Sequence, residues 1–273
     1  MWKWETEGTP KGVVVIVHNL LEHHGRYAWF ITRLRRDGYH VIMGDLPGQG
    51  QTSRVNRGHI ESFDVYGEKV LEWIEVAEEY QMPVFLIGVG LGGLIATNLL
   101  ENVDLKLEGV VLLSPLFGFQ NTVTTRKNFL VSGLSSISKE AKFDMNIPLE
   151  DLTRVQENID ELKKDTLMVQ KVSFNLYKSI IESMKATMEQ IHKIGDVPLM
   201  IMFSDADRVA DVDQIKLFAK EVKTSEIYIK NWRTLYHELH NEPERDNVLY
   251  YVESFMNNRI NYIGLITEDS GIQ

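Results

Sequence analysis

The chain holds 273 residues, 44% hydrophobic and 25% charged, with a formal net charge of −10 and no cysteine. That length buries a substantial core and is ordinary for one α/β domain, while the acidic balance argues against a nucleic-acid partner and against attachment to anionic membranes by charge alone. Without cysteine there is no disulfide framework, no thiol nucleophile and no thiolate metal site.

Met1-Trp2-Lys3-Trp4-Glu5 lacks the basic region and apolar core of a signal peptide, and no apolar run approaches bilayer-spanning length. The expectation is a soluble, cytoplasmic protein with at most transient membrane contact. Residues 2–5 read as an edge strand. Short, β-branched runs bounded by turn residues then predict buried strands at 13–18, 40–45, 84–88, 110–114, 199–203 and 226–230. Helical stretches fall between most of them, at 27–37, 65–80, 91–100 and 214–222. Such alternation implies an α/β chain with a mostly parallel central sheet and helices on both faces. The rhythm breaks between Pro115 and Val197, where polar, helix-like stretches at 149–157, 159–164 and 173–192 replace strands. A structureless loop of that length is unexpected in a compact domain, so the segment reads as a helical cap over the sheet edge. The organisation expected is a core of residues 1–116 and 196–260, a cap of residues 117–195 and a C-terminal tail of residues 261–273. The Ser- and Gly-rich stretch 128–139 is expected to be the mobile part of the cap. No internal repeat or low-complexity tract is present.

Parallel sheets place their sites at the carboxyl ends of strands, and four such ends carry polar or glycine-rich sequence here. The first strand leads into His18-Asn19-Leu20-Leu21-Glu22-His23-His24-Gly25-Arg26-Tyr27 and the second into Asp45-Leu46-Pro47-Gly48-Gln49-Gly50-Gln51-Thr52-Ser53. The next central strand leads into Gly88-Val89-Gly90-Leu91-Gly92, the frame of a nucleophile elbow, G-x-S-x-G, with glycine at the serine. Ser204-Asp205-Ala206-Asp207-Arg208-Val209 follows the strand at 199–203, and Tyr236-His237-Glu238-Leu239-His240-Asn241-Glu242 comes later. Elbow, then acid, then histidine is the chain order of an α/β-hydrolase triad.

Each residue also has a plainer reading. Gly90 reads as what a strained turn demands, since glycine adopts unusual backbone conformations without a Cβ penalty; altered catalysis is the alternative. Alone, Asp207 reads as a loop acid paired with Arg208 or capping the next helix, and His237 as a surface histidine beside Glu238. Together, in triad order, they read as a retained acid–histidine pair. His18, His23 and His24 read as one strand-end histidine and two solvated ones rather than a metal site, because neighbouring histidines around a turn rarely converge on one ion. No metal and no cofactor is expected. The charge run 157–164 reads as a solvated helix face. Phe174, Tyr177 and Met184 recur at helical spacing, which fits core packing as well as the lining of a pocket. Ser114, Ser204 and Thr52 are poor substitutes for the missing nucleophile; Pro115 favours an extended backbone at Ser114 rather than an elbow.

These motifs resemble the monoacylglycerol lipase and lysophospholipase branch of the α/β-hydrolases, the serine aminopeptidase-like group. That group carries H-G-x-G-E-H-x-x-R-Y, D-x-x-G-x-G-x-S, G-H-S-M-G-G, G-x-x-D-R and Y-H-x-x-x-N-E, and all five have counterparts here in order, over roughly residues 11–259. The resemblance implies an α/β-hydrolase fold with a helical cap insertion. It makes Asp207 the catalytic acid, His237 the base, and the amides of Leu20 and Leu91 the oxyanion hole. It also implies a small-molecule acyl or lysolipid ligand. The departures are Gly90 at the serine, Val89 at the preceding histidine and Leu91 at the methionine, Asn19 and Leu21 at two glycines, and Gln49 at a histidine. Losing a triad serine costs roughly a million-fold in turnover, with about a thousand-fold over water left from the oxyanion hole and binding. Three functions follow: a non-catalytic protein that binds an acyl ligand or a protein partner, a hydrolase in which His237 activates water directly, and His–Asp base chemistry other than hydrolysis.

Overall fold

Five runs of aliphatic and β-branched residues form the centre of a seven-stranded sheet. The computed structural model describes residues 1–6, 8–52, 55–120 and 138–261. In chain order the strands and helices are β1 (Trp2–Trp4), β2 (Gly12–Val17), α1 (Ala28–Arg36), β3 (Tyr39–Met43), α2 (Asp64–Glu78), β4 (Val84–Val89), α3 (Leu91–Asn102) and β5 (Gly109–Leu113). They continue with β6 (Lys142–Asp144), α4 (Gln156–Lys164), β7 (Lys171–Ser173), α5 (Phe174–Gln190), β8 (Leu199–Ser204), α6 (Val212–Glu221), β9 (Ile227–Trp232) and α7 (Arg245–Ile260). The sheet order is β1-β3-β2-β4-β5-β8-β9. Only β1 is antiparallel, pairing Trp2 with Met43; the other neighbours are parallel, with Ile16 opposite Ile87 and Leu112 opposite Ile201.

Because side chains alternate across a strand, β2 feeds two cores. Val13, Val15 and Val17 pack with α2, α3 and α6, while Val14 and Ile16 pack with α1 and α7. Burying each Leu, Ile or Phe side chain contributes about 1.5–3 kcal/mol, so the central strands are the most firmly held part of the chain. Their carboxyl ends share one edge, and that edge gathers the turns after β2, β3, β4, β8 and β9. No helix among the described residues is long and apolar enough to cross a membrane.

The segment between β5 and β8 is not purely helical. An antiparallel ribbon, β6 with β7, pairs Phe143 with Val172. Three-residue strands are too short to show a period in sequence. The helix expected at 149–157 is a single tight turn, Leu149–Asp151, before α4. Thr153 interrupts it: its Oγ1 donates to the Asn241 carbonyl at 3.0 Å and accepts from the Val155 amide at 3.1 Å. The expected helix at 173–192 is α5, capped by Ser173 Oγ, which accepts from the Leu176 amide at 3.0 Å. Helix α7 was not anticipated, although Val248, Leu249, Val252, Phe255 and Met256 are its buried stripe. Most of 128–139, and the tail beyond residue 261, lie outside the described residues.

One buried acid makes a pH-dependent prediction. Glu101 of α3 accepts from Thr187 Oγ1 at 3.3 Å through Oε2, and its Oε1 has no partner among the described residues. Burial pushes its carboxyl up to about 8. An acid whose folded pKa is raised binds its proton more tightly when folded, so stability is lost as pH climbs from the unfolded value toward 8. Glu101→Gln is therefore expected to melt with the parent at pH 4 and above it at pH 8.5. Equal melting temperatures at both pH values would contradict this.

Candidate active site

The turn between β4 and α3 has the geometry of an elbow. Gly90 sits at φ 52° and ψ −112°, a left-handed-side conformation that glycine adopts without strain. Its amide donates to the Leu113 carbonyl at 2.9 Å, and its carbonyl accepts from Gly93 at 3.0 Å and Leu94 at 3.2 Å. The helix closes onto the strand because Gly88 and Gly92 lack side chains: a Cβ at Gly88 would lie 2.5 Å from the Gly92 carbonyl oxygen.

Asp207 and His237 come together. His237 Nδ1 lies 2.9 Å from Asp207 Oδ2, and Asp207 Oδ1 accepts from the amides of Val209 at 2.8 Å and Ala210 at 3.0 Å. An acid that accepts at both oxygens holds the proton on Nδ1 and leaves Nε2 outward. That Nε2 is buried and has no hydrogen-bond partner among the described residues. Burial works against the imidazolium, but the carboxylates of Asp207, Glu238 and Glu22 together outweigh it, and His237 stands above the ordinary histidine value. Arg208 pairs with Asp151 and lies over the Tyr236 ring instead of meeting Asp207, the next helix is capped by Asp211 rather than Asp207, and His237 is buried rather than on the surface.

The amides of Leu20 and Leu91 also converge, on one atom. Asn19 Oδ1 accepts from Leu20 at 2.7 Å and from Leu91 at 3.0 Å. The loop carrying Asn19 is tied down on several sides. His18 Nε2 accepts from the Leu46 amide at 2.9 Å, so its Nδ1 carries the proton and donates to the Asn19 carbonyl at 2.7 Å. Burial brings His18 down to about 4, consistent with a neutral ring. Glu22 Oε1 accepts from the Asn19 amide at 2.8 Å, and Gln49 Oε1 accepts from the amide of Leu21, which has φ 70°.

His23 and His24 are not solvated, contrary to expectation. With Asp45 they place ligand-type atoms within 4.8 Å of one another. Those atoms are already engaged: His24 Nδ1 with Asp45 Oδ1 at 2.8 Å, Gln51 N with Asp45 Oδ2 at 2.8 Å, His23 Nδ1 with Gly25 N at 3.1 Å and His23 Nε2 with Asp165 Oδ2 at 2.7 Å. The cluster is a hydrogen-bonded brace for the loop, and His24 is further fixed by stacking on Trp2 at 3.6 Å.

Ser114 also departs from expectation. It has φ 43° rather than an extended backbone, but it is fully buried and its Oγ meets no partner among the described residues. Ser204 Oγ accepts from Ala206 N, and Thr52 Oγ1 donates to the Leu46 carbonyl at 2.9 Å, so both serve their own turns.

Beside Asn19 opens a cavity of about 350 Å3, walled by Leu20, Leu116, Phe119, Met145, Leu152 and Val209 among others. Phe174, Tyr177 and Met184 do not line it; Tyr177 and Met184 are buried core. The run 157–164 is mostly exposed, with Ile159 and Leu162 turned inward and Leu162 reaching the cavity wall. Sequence reasoning missed Met145 and Leu152 as wall residues, because neither stands in a motif.

Comparison with known proteins identifies the family and the fold. The family model described as "Serine aminopeptidase, S33" matches residues 8–244. The chain is 36% identical over 256 residues to phospholipase YtpA of Bacillus subtilis, covering 93% of this chain and 98% of that one. It is 27% identical over 257 residues to human monoglyceride lipase, covering 91% of this chain and 82% of that one. Among solved structures, the monoacylglycerol lipase of Paleococcus ferrophilus superposes with a TM-score of 0.84 at 25% identity, covering 94% of this chain and 98% of that one. With a family match over most of its length and the same fold, this chain belongs to the serine aminopeptidase family, in the monoglyceride lipase and lysophospholipase-like branch of the α/β-hydrolases.

Proposed function

We propose that this protein binds a monoacyl lipid, a lysophospholipid or monoacylglycerol, in the cavity beside the elbow and does not hydrolyse it through a triad. The observation that carries this is Gly90: the turn keeps an elbow's backbone and offers no side-chain oxygen. In a serine hydrolase the hydroxyl attacks the ester carbonyl, histidine takes its proton, the acid orients the imidazole and backbone amides stabilise the oxyanion. Here Asp207 and His237 would remain as acid and base with no hydroxyl to activate. The mainly apolar wall of the cavity supports an acyl ligand, as do relatives named for phospholipase and monoglyceride lipase activity.

A second reading draws on the same pair. His237 Nε2 is unpaired among the described residues, and a histidine so placed could take a proton from water and direct the hydroxide at an ester. One experiment separates the two. A fluorescent monoacylglycerol and a lysophospholipid are titrated against the protein, and their hydrolysis is followed for the chain as it stands and for His237→Ala. Saturable binding, with equal background turnover in both proteins, is the expected result. Turnover that falls to background in His237→Ala would establish the second reading, and absence of saturable binding would remove the first.

A further inference from the structure

We infer that Asn19 is a built-in occupant of the oxyanion hole, held there because residue 90 is glycine, and that it closes the hole to a substrate carbonyl. The inference rests on reading the site as a hydrolase pocket whose hole is formed by the amides of Leu20 and Leu91. Both amides donate to Asn19 Oδ1, at 2.7 and 3.0 Å. Two N–H donors facing one atom fix that atom as the carboxamide oxygen, and an sp2 oxygen has two lone pairs, so both are engaged. A substrate carbonyl that needs those donors meets an amide oxygen already in place.

The same side chain fills the space of the missing nucleophile. A Cβ built on Gly90 would overlap Asn19 Oδ1 and Cγ and would stand 2.9 Å from Nδ2. The departures at 19 and 90 are therefore one change in two places. A serine at 90 forbids this Asn19 rotamer, and glycine at 90 admits it. Asn19 is 4% exposed and its backbone is pinned at both ends, by Glu22 through its amide and by His18 through its carbonyl. Only the side chain is left to move. Restoring serine at 90 leaves the carboxamide with a choice between clashing with the new side chain and swinging out of a place where it makes two hydrogen bonds.

The test is amide hydrogen exchange at Leu20 and Leu91. The unaltered chain is compared with Asn19→Gly, Asn19→Ala and Asn19→Asp, which keep glycine at 90, and with Gly90→Ser, whose Cβ expels the carboxamide. A melting transition for each shows that it folds. Losing the acceptor of a typical hydrogen bond speeds exchange about fivefold or more, so Asn19→Gly, Asn19→Ala and Gly90→Ser are expected to exchange both amides at least about fivefold faster than the unaltered chain. Asn19→Asp, which keeps the acceptor, is expected to stay protected. Unchanged protection in Asn19→Gly and Asn19→Ala overturns the inference, and unchanged protection in Gly90→Ser overturns the coupling of 19 to 90. Lipid binding by the unaltered chain is read separately, so failure here and failure of the proposed function are distinct.

Discussion

Replacing Gly92 with alanine is expected to destabilise the protein by about 3 kcal/mol, the upper end of the cost of forcing one extra carbon into a packed interior. The added Cβ would overlap the Val17 carbonyl oxygen and stand 2.6 Å from its carbon and 2.9 Å from the His18 oxygen. Those atoms stand at the carboxyl end of β2, which is paired with β3 up to Ile16 and with β4 up to Val17. Neither strand can give way without moving the centre of the sheet, so α3 must lift at its first turn. The elbow glycine two residues earlier makes the opposite case: its methyl would meet a side chain, Asn19, which can turn. Gly195 is the control, since a Cβ there meets nothing within 4 Å, and Gly195→Ala is expected to change stability by no more than about 0.5 kcal/mol. Urea unfolding of both variants checks this. Matching midpoints would mean that α3 is not seated on β2 as described. For a domain with a total stability of about 5–15 kcal/mol, the Gly92 effect is a large fraction.

Those two glycines also show what could be read from the sequence. The elbow frame, the strand runs around it and the order of Asp207 and His237 are local patterns, and a parallel sheet brings strand ends to one edge whatever the details. The buried pair and the elbow followed from that rule. What Asn19 does could not be read, because its partners lie across a gap between two loops: Leu91 is 72 residues away in sequence. In sequence the replacements at 19 and 90 are separate departures, and only the distance between them makes them one. His23 and His24 failed for a related reason. Sequence alone predicts them solvated, yet Asp165, Asp45 and Trp2, all remote in sequence, engage them. The cavity wall from Met145 to Leu162 belongs to a segment whose elements are short and interrupted, so no period marked its inner face. Helix α7 was legible in principle, because its buried residues recur at one-, three- and four-residue steps.

Behind the Asn19 loop, Arg26→Met is expected to destabilise the protein by about 3–5 kcal/mol at pH 8, the usual consequence of removing one partner from a buried ion pair. Arg26 lies between two buried acids, with its guanidinium 2.6 Å from Glu238 Oε2 and 3.6 Å from Glu22 Oε2. Burial raises the Glu22 carboxyl to about 7 despite Arg26. Burial pushes Glu238 the same way, but there Arg26, together with His240, Asn241 and His237, outweighs it and holds Glu238 below the ordinary carboxylate value. Methionine fills part of the arginine's volume without its charge, so both acids would move upward. Acids raised in the folded state cost stability as pH climbs through the interval between their unfolded and folded values. The parent's gain from Glu238 is complete above the unfolded value and flat from pH 5 to 8, while raised acids in the variant lose stability over that range, so the deficit of Arg26→Met should be smallest near pH 5 and grow to pH 8. Urea midpoints at pH 5, 6.5 and 8 measure it. A deficit that does not change with pH would assign the loss to packing of the arginine stem, and the charge argument would fail. The consequence for the site runs through Glu22, whose Oε1 holds the Asn19 amide and accepts the Tyr27 hydroxyl, with Tyr27 stacked on His240 at 4.7 Å. Protonating Glu22 weakens its hold on the Asn19 amide, so loosening of the 18–22 loop in Arg26→Met, read by amide hydrogen exchange, should follow the loss of charge rather than the loss of volume.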